Sequence, residues 1–234
     1  MKISLFTRRL TDARRTSQLK EATRVAAEHG SSMLVLPGWS LGTRVTRGTA
    51  LQKLARQAGL PILAEAGDTF CFHPDGTTIG PFAQRFALPA EATHQAVQQL
   101  AQGYLRGERT IHIEHKCVRV LLCGEHHILR NAHHKHNEAE PRHPDLGWDL
   151  KYDVLVNPCH TSTGQWGLLH KRFAYFSQAG RTFLFCANNT HASWGTALCV
   201  YRDGKLVTMG SLRGGKGLQT HIAEAWRLVT VDIP

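Results

Sequence analysis

Apolar positions recur along this chain with two periods. Lys2 to Phe6, Met33 to Leu36 and Pro61 to Ala64 are short apolar runs that predict strands. Between them, Leu19, Ala22, Val25, Ala26 and His29 fall at helical spacing within 16–29, and Leu51, Leu54 and Ala55 do so within 49–58. Gly30 and Gly59 stand where those helices should end, and Pro37-Gly38 stops the second strand. Alternation of strand and helix predicts parallel strands joined by right-handed crossovers, with helices on the outer face.

The pattern then changes. Asp68 to Phe72 and Thr77 to Ala87, joined by His73-Pro74-Asp75-Gly76, read as an antiparallel hairpin. A helix is expected near Ala90 to Leu100, followed by a second antiparallel pair, Arg109 to Glu114 with Cys117 to Leu122. The strand Tyr152 to Asn157 precedes a helix over Gly164 to Ala179, which points Trp166, Leu169, Phe173 and Phe176 inward and is closed by Gly180. Thr182 to Ala187, Thr196 to Tyr201, Leu206 to Met209 and Arg227 to Ile233 complete the strands. The whole predicts an α/β layered protein whose two halves are each a sheet covered by helices.

Composition narrows the class. A chain of 234 residues with 42% hydrophobic and 20% charged residues describes a globular protein, and no apolar run is long enough to span a membrane. The start is too short in apolar residues for a signal peptide, so the cytoplasm is the expected location. Six cysteines (71, 117, 123, 159, 186 and 199) are scattered without a CxxC pair, which predicts reduced thiols rather than a disulfide framework. The net charge of +10 favours acidic partners, but its densest group, Arg8, Arg9, Arg14 and Arg15, comes with no nucleic-acid-binding motif. Nucleic acid therefore stays an open partner without a motif to support it.

Chemistry points to one stretch, Val118 to Glu125, where an apolar run delivers Cys123 onto a glycine turn. A cysteine leaving a buried strand is held rigidly, and it becomes a nucleophile only where a base or a positive charge lowers its pKa. An inert buried thiol is the alternative. His126, His127, His133, His134, His136 and His143 crowd the next segment, but without the i,i+4 pair or nearby cysteine of a zinc site. A solvated loop, with pocket-lining histidines at most, is the expectation there. His160, after Pro158-Cys159, is a further pocket candidate.

Several stretches, in order, resemble the nitrilase or carbon-nitrogen hydrolase superfamily: Met33-Leu-Val-Leu-Pro37, Leu121-Leu-Cys-Gly-Glu125, Tyr152-Asp-Val-Leu-Val-Asn-Pro158, Trp166 with Arg172, Cys186-Ala-Asn-Asn189, and Arg202-Asp-Gly204 with Leu228-Val-Thr-Val-Asp-Ile233. The resemblance implies one four-layer αββα sandwich over 1–234, self-associating through helix faces. It also implies hydrolysis of a small amide or nitrile by a Glu, Lys and Cys triad, with no metal or other cofactor. Cys123 matches the nucleophile. The base position is Gly38, however, and the best match to the lysine is Arg85. Arg85 could supply positive charge but could not exchange protons. Glu65 and Glu91 are candidates for the missing base, and Glu125 is expected to be structural. Tyr175 stands where the family carries an acid three places past the arginine. Two readings follow: a divergent hydrolase using Cys123, Arg85 and Glu65 or Glu91, or a pseudoenzyme that binds a small molecule, an acidic protein or nucleic acid without turnover.

Overall fold

A computed structural model describes residues 1–41, 48–132, 138–146, 151–161, 166–190, 194, 197–209 and 217–234. The first sheet combines β1 (Lys2–Arg8), β2 (Met33–Val35), β3 (Ile62–Ala66), β4 (Asp68–Phe72) and β5 (Thr78–Phe82) with two strands from the end of the chain, β14 (Leu218–Ile222) and β15 (Trp226–Asp232). Its order is β14-β15-β1-β2-β3-β4-β5. Strands β1, β2 and β3 are parallel, joined through α1 (Arg15–Glu28) and α2 (Gly48–Ala58). The second sheet has the order β13-β12-β11-β10-β7-β6. Its members are β6 (Thr110–Ile113), β7 (Lys116–Val120), β10 (Val154–Thr161), β11 (Thr182–Asn188), β12 (Leu198–Arg202) and β13 (Lys205–Met209). Helices α3 (His94–Leu105) and α4 (Trp166–Phe176) belong to this half, and a two-stranded ribbon pairs β8 (Leu129–Asn131) with β9 (Ala139–Pro141).

Strand alternation produces the layering. In β7, Val118 and Val120 join Ile3, Leu5, Val35, Val156 and Val229 in a core between the two sheets. Residues of the opposite parity face the helices: Leu155, Phe183 and Phe185 pack with Tyr104 of α3 and Phe173 of α4. On the other outer face, Phe6, Leu34 and Ile62 meet Leu19, Ala22 and Leu51 of α1 and α2. Helix, sheet, sheet, helix is the expected αββα sandwich. Helix α1 stops at Gly30, whose φ of 70° is the left-handed conformation that lets Ser31 N–H turn back to the Ala26 carbonyl at 3.0 Å.

Some boundaries differ from the sequence expectation, for identifiable reasons. The strand expected to reach Ala87 ends at Phe82, because the following backbone is bonded to side chains rather than to a neighbouring strand. Ala83 O accepts from Arg109 Nη2, and Arg85 N–H donates to Glu125 Oε1 at 2.7 Å. The helix expected from Ala90 begins instead at His94, where the Thr93 hydroxyl caps it by accepting from Ala96 N–H at 3.3 Å. β14 and the β8–β9 ribbon are short polar strands that periodicity did not reveal. The first residues of the expected helix from Gly164, and Thr196, lie outside the described residues.

Candidate active site

Both parallel strands β7 and β10 deliver chemistry at their C-terminal ends, the place where open α/β sheets characteristically bind ligands. Their register runs from Val154↔Val118 to Val156↔Val120, and Leu121 N–H still donates to Val156 O at 2.9 Å beyond the last ladder pair. Asn157 Nδ2 then donates to the carbonyls of Leu121 (2.6 Å) and Leu122 (3.1 Å), holding the departing chain beside β10 until it turns. Gly124 makes that turn at φ 82°, where any Cβ would lie within 3 Å of the Ala87 backbone. The turn is clamped by Glu125, which is fully buried and pairs bidentately with Arg109 at 2.6 and 2.9 Å. The same carboxylate accepts the Leu122 N–H at 2.8 Å. Glu125 is thus structural, as expected.

His160 is the next-to-last residue of β10, and Glu65 lies near the end of β3 on the other sheet. Their side chains meet, with His160 Nε2 2.7 Å from Glu65 Oε2. Trp39 stacks on the imidazole at 4.4 Å between centroids and 27° between planes, from a backbone with φ 59°. Asn188 Nδ2 donates to both the Gly38 and His160 carbonyls, tying the Trp39 loop to the end of β10. On its other side, His160 reaches Cys123. The Cys123 thiol is pulled down to about 5: a hydrogen bond from Cys159 is the largest cause, burial opposes it, and hydrogen bonds from the His160 side chain and backbone with its charge add to it. Burial alone would lower His160, but its bonds to Cys123 and Glu65 and their negative charge outweigh this and raise it to about 9. At neutral pH the pair is therefore a thiolate facing an imidazolium.

These groups open onto a cavity of about 100 Å³. Leu36, Phe82 and Leu122 give it apolar walls, and Asp68, Thr69 and Gln84 bring polar groups. Of the residues singled out from the sequence, Cys123 and Glu65 line this cavity together with Gly38. The hydrogen-bond partner of the Glu65 carboxylate is His160 rather than the Cys123 sulfur.

Arg85 and Glu91 are not brought to it. Arg85 is exposed and outside the lining, and its neighbour Gln84 occupies the wall, with Nε2 donating to the Cys123 carbonyl. Glu91 is exposed and accepts the Ala87 and Leu88 N–H groups at 2.8 and 3.1 Å, closing a helical turn. Those backbone bonds lower its pKa, which weakens it as the general base expected of it.

His160 entered the sequence reading only as a pocket candidate, although it shares the cavity wall with Cys123 and bonds Glu65. The available signal was positional, since Cys123 and His160 both follow the ends of apolar runs that read as strands. Gly38 leaves room for the histidine. A Cβ there would come within 3 Å of His160 Cδ2, His160 Nε2 and Glu65 Oε2. The space where a side chain at the family's base position would begin is filled by the imidazole and carboxylate.

The described histidines of the crowded segment are structural. His126 and His127 are held well below the usual histidine range by burial and by neighbouring cations, His127 at about 4. Neutral His127 Nδ1 accepts from Arg172 Nη1 at 2.8 Å, giving the buried guanidinium an acceptor in place of the acid replaced by Tyr175. His143 Nε2 lies 3.0 Å from the Ala92 carbonyl. His133, His134 and His136 lie outside the described residues, and among the described residues no cluster of ligands suits a metal ion.

Fold and site together define an αββα sandwich with a cysteine and a histidine side by side at its strand ends. Solved structures of the amidase from Nesterenkonia sp. AN1 share the fold. One, a glutamate-to-glutamine variant with acrylamide added at its active-site cysteine, is 14% identical with a TM-score of 0.60 over 100% of this chain and 93% of that one. Another, a cysteine-to-alanine variant described as from the nitrilase superfamily, is 13% identical with a TM-score of 0.63 over 100% and 90%. A third carries the acetamide moiety of fluoroacetamide on the active-site cysteine, at 14% identity, TM-score 0.60 and the same 100% and 90% coverage. No family model matches the chain, and no curated protein does. No described helix is long and apolar enough to cross a membrane.

Proposed function

We propose that this protein is a cysteine hydrolase that cleaves the carbon–nitrogen bond of a small amide, with a Cys123–His160–Glu65 triad in place of the Glu, Lys and Cys set implied by the resemblance. The observation that carries the reading is His160, bonded to Glu65 on one side and sharing the cavity wall with Cys123, whose ionisation it favours, on the other. The Cys123 thiolate attacks the carbonyl carbon. The His160 imidazolium then gives its proton to the leaving nitrogen as the C–N bond breaks, leaving a thioester. Neutral His160 next takes a proton from water, which attacks the thioester, and Cys123 leaves as the thiolate as the acid is released, restoring the thiolate and imidazolium. Glu65 keeps the imidazole oriented and stabilises its charge, the part a carboxylate plays in other triads. A cavity of about 100 Å³ favours short acyl groups. The neighbours' adducts with acrylamide and fluoroacetamide support the small-amide class. The reading includes a single domain, self-association, action without metal or cofactor, and a cytoplasmic setting supported by six unpaired thiols.

The test is ammonia release from a panel of short-chain amides. Turnover is expected in the unaltered protein, none with Cys123→Ala, and a loss of roughly 10²–10⁴-fold with His160→Ala. Glu65→Gln should lower kcat more than it raises KM. If no small amide is turned over, and Cys123 is alkylated at pH 6 no faster than a free thiol, the pseudoenzyme reading stands instead.

A further inference from the structure

The proposed triad makes no use of Cys159 beyond a hydrogen bond. Its thiol is buried and has no role in acyl transfer, yet it is placed beside the nucleophile by three independent features of the structure. The parallel register that pairs Val156 with Val120 brings Cys159 opposite Cys123 when carried three residues further, and the Asn157 amide holds both chains together over that interval. Adjacent strands lie about 4.8 Å apart, inside the range of about 4.4–6.8 Å between Cα atoms that a disulfide spans. The two side chains also share one packing layer, since Cys123 packs against the cluster that contains Cys159. Finally, each thiol is the leading influence on the other's ionisation, and both cysteines are free. Cys123 faces the cavity, so a small oxidant can reach it, whereas Cys159 is 4% exposed and does not line the cavity.

We propose that Cys123 and Cys159 form a reversible disulfide when a peroxide enters the cavity, so that the nucleophile is a modification site with its own resolving thiol. The inference rests on the reading of Cys123 as an activated thiolate. In the first step the Cys123 sulfur attacks one peroxide oxygen and the O–O bond breaks. The sulfur is oxidised to a sulfenic acid and the peroxide is reduced, leaving as water after taking a proton. In the second step the Cys159 sulfur attacks the Cys123 sulfur, the S–O bond breaks, and the departing hydroxyl takes the Cys159 proton as a second water. Two thiols and one hydrogen peroxide thus give one disulfide and two waters. The proton on Cys159 is held chiefly by its bond to the Cys123 thiolate. Conversion of that thiolate to a neutral sulfenic acid removes the restraint, so the resolving step is released by the first. The disulfide would withhold the nucleophile while protecting it from irreversible oxidation, and a dithiol would restore it.

Hydrogen peroxide at a few equivalents, followed by intact-mass measurement and non-reducing peptide mapping, tests this. A species two hydrogens lighter, with the peptides of Cys123 and Cys159 joined, is expected, together with loss of iodoacetamide labelling that dithiothreitol restores. With Cys159→Ser the light species should disappear and Cys123 should progress to sulfinic acid, which dithiothreitol does not reverse. Should that variant fold poorly, peptide mapping of the unaltered protein decides alone. Cys123 carried to sulfinic acid there while Cys159 keeps its free thiol would overturn the inference. These readouts do not involve turnover, so a disulfide without amidase activity sinks only the proposed function, and amidase activity without a disulfide sinks only this inference.

Discussion

At the scale of single residues, the cysteine and histidine are set apart from ordinary side chains by what touches them. With Cys123 at about 5 and His160 at about 9, the ion pair is full between those limits. As pH falls through about 5 the thiolate is protonated; as it rises through about 9 the imidazolium loses the proton required by the leaving group. kcat/KM should therefore trace a bell with a broad neutral plateau, and iodoacetamide alkylation should stay flat down to about pH 6. At that pH a free thiol is roughly one part in a thousand ionised. The lower nucleophilicity of an acidic thiolate returns much of this advantage, leaving Cys123 faster by on the order of tenfold. A rate still climbing with pH between 6 and 8 would count against the pair. Gly38 supplies the second residue-scale prediction. Gly38→Ala should displace His160, costing roughly 10²-fold or more in kcat with the fold retained by circular dichroism. Gly38→Glu with Arg85→Lys, which would restore the family's triad on paper, should abolish turnover rather than improve it, because the glutamate would have to enter occupied space and position 85 faces solvent.

Among the elements, the turn after β7 depends on a buried ion pair rather than on apolar packing. Glu125→Gln leaves Arg109 without its charge partner and weakens the bonds to Leu122 and Arg85, so a loss of about 3–5 kcal/mol is expected in urea unfolding. Retention of full stability would show that the clamp is dispensable. Element identity was largely legible in the sequence, because β1, β2, β3, β10 and β11 are buried on both faces and read as continuous apolar runs. Strand β14, with its pattern Leu-Gln-Thr-His-Ile, lies at a sheet edge where little burial constrains composition, and so left no signal. The end of β5 was hidden for another reason. The segment after Phe82 is apolar and extended enough to read as strand, but its partners are the side chains of Glu125 and Arg109, more than twenty residues away. The same long-range bonding decided the site. Arg85 was chosen by its place in the sequence, while a shift of one residue put Gln84 on the cavity wall. His160 could be placed in the cavity from sequence, but its bond to Glu65 spans 95 positions and two sheets.

Viewed as a whole, the molecule carries a charge of +10 around a cavity whose described ionisable groups include the acids Glu65 and Asp68. Sedimentation at tens of micromolar should show a dimer or larger assembly if the helix-covered faces pair as the resemblance implies, and a monomer alone would remove that expectation. The proposed triad is divided between the layers. Cys123 and His160 come from the second sheet and Glu65 from the first, so the bond that orients the imidazole forms only when the two halves of the sandwich close on each other. Any substitution that loosens the seam between the sheets is thereby expected to reach the site through Glu65 first, leaving Cys123 and His160 side by side on one sheet.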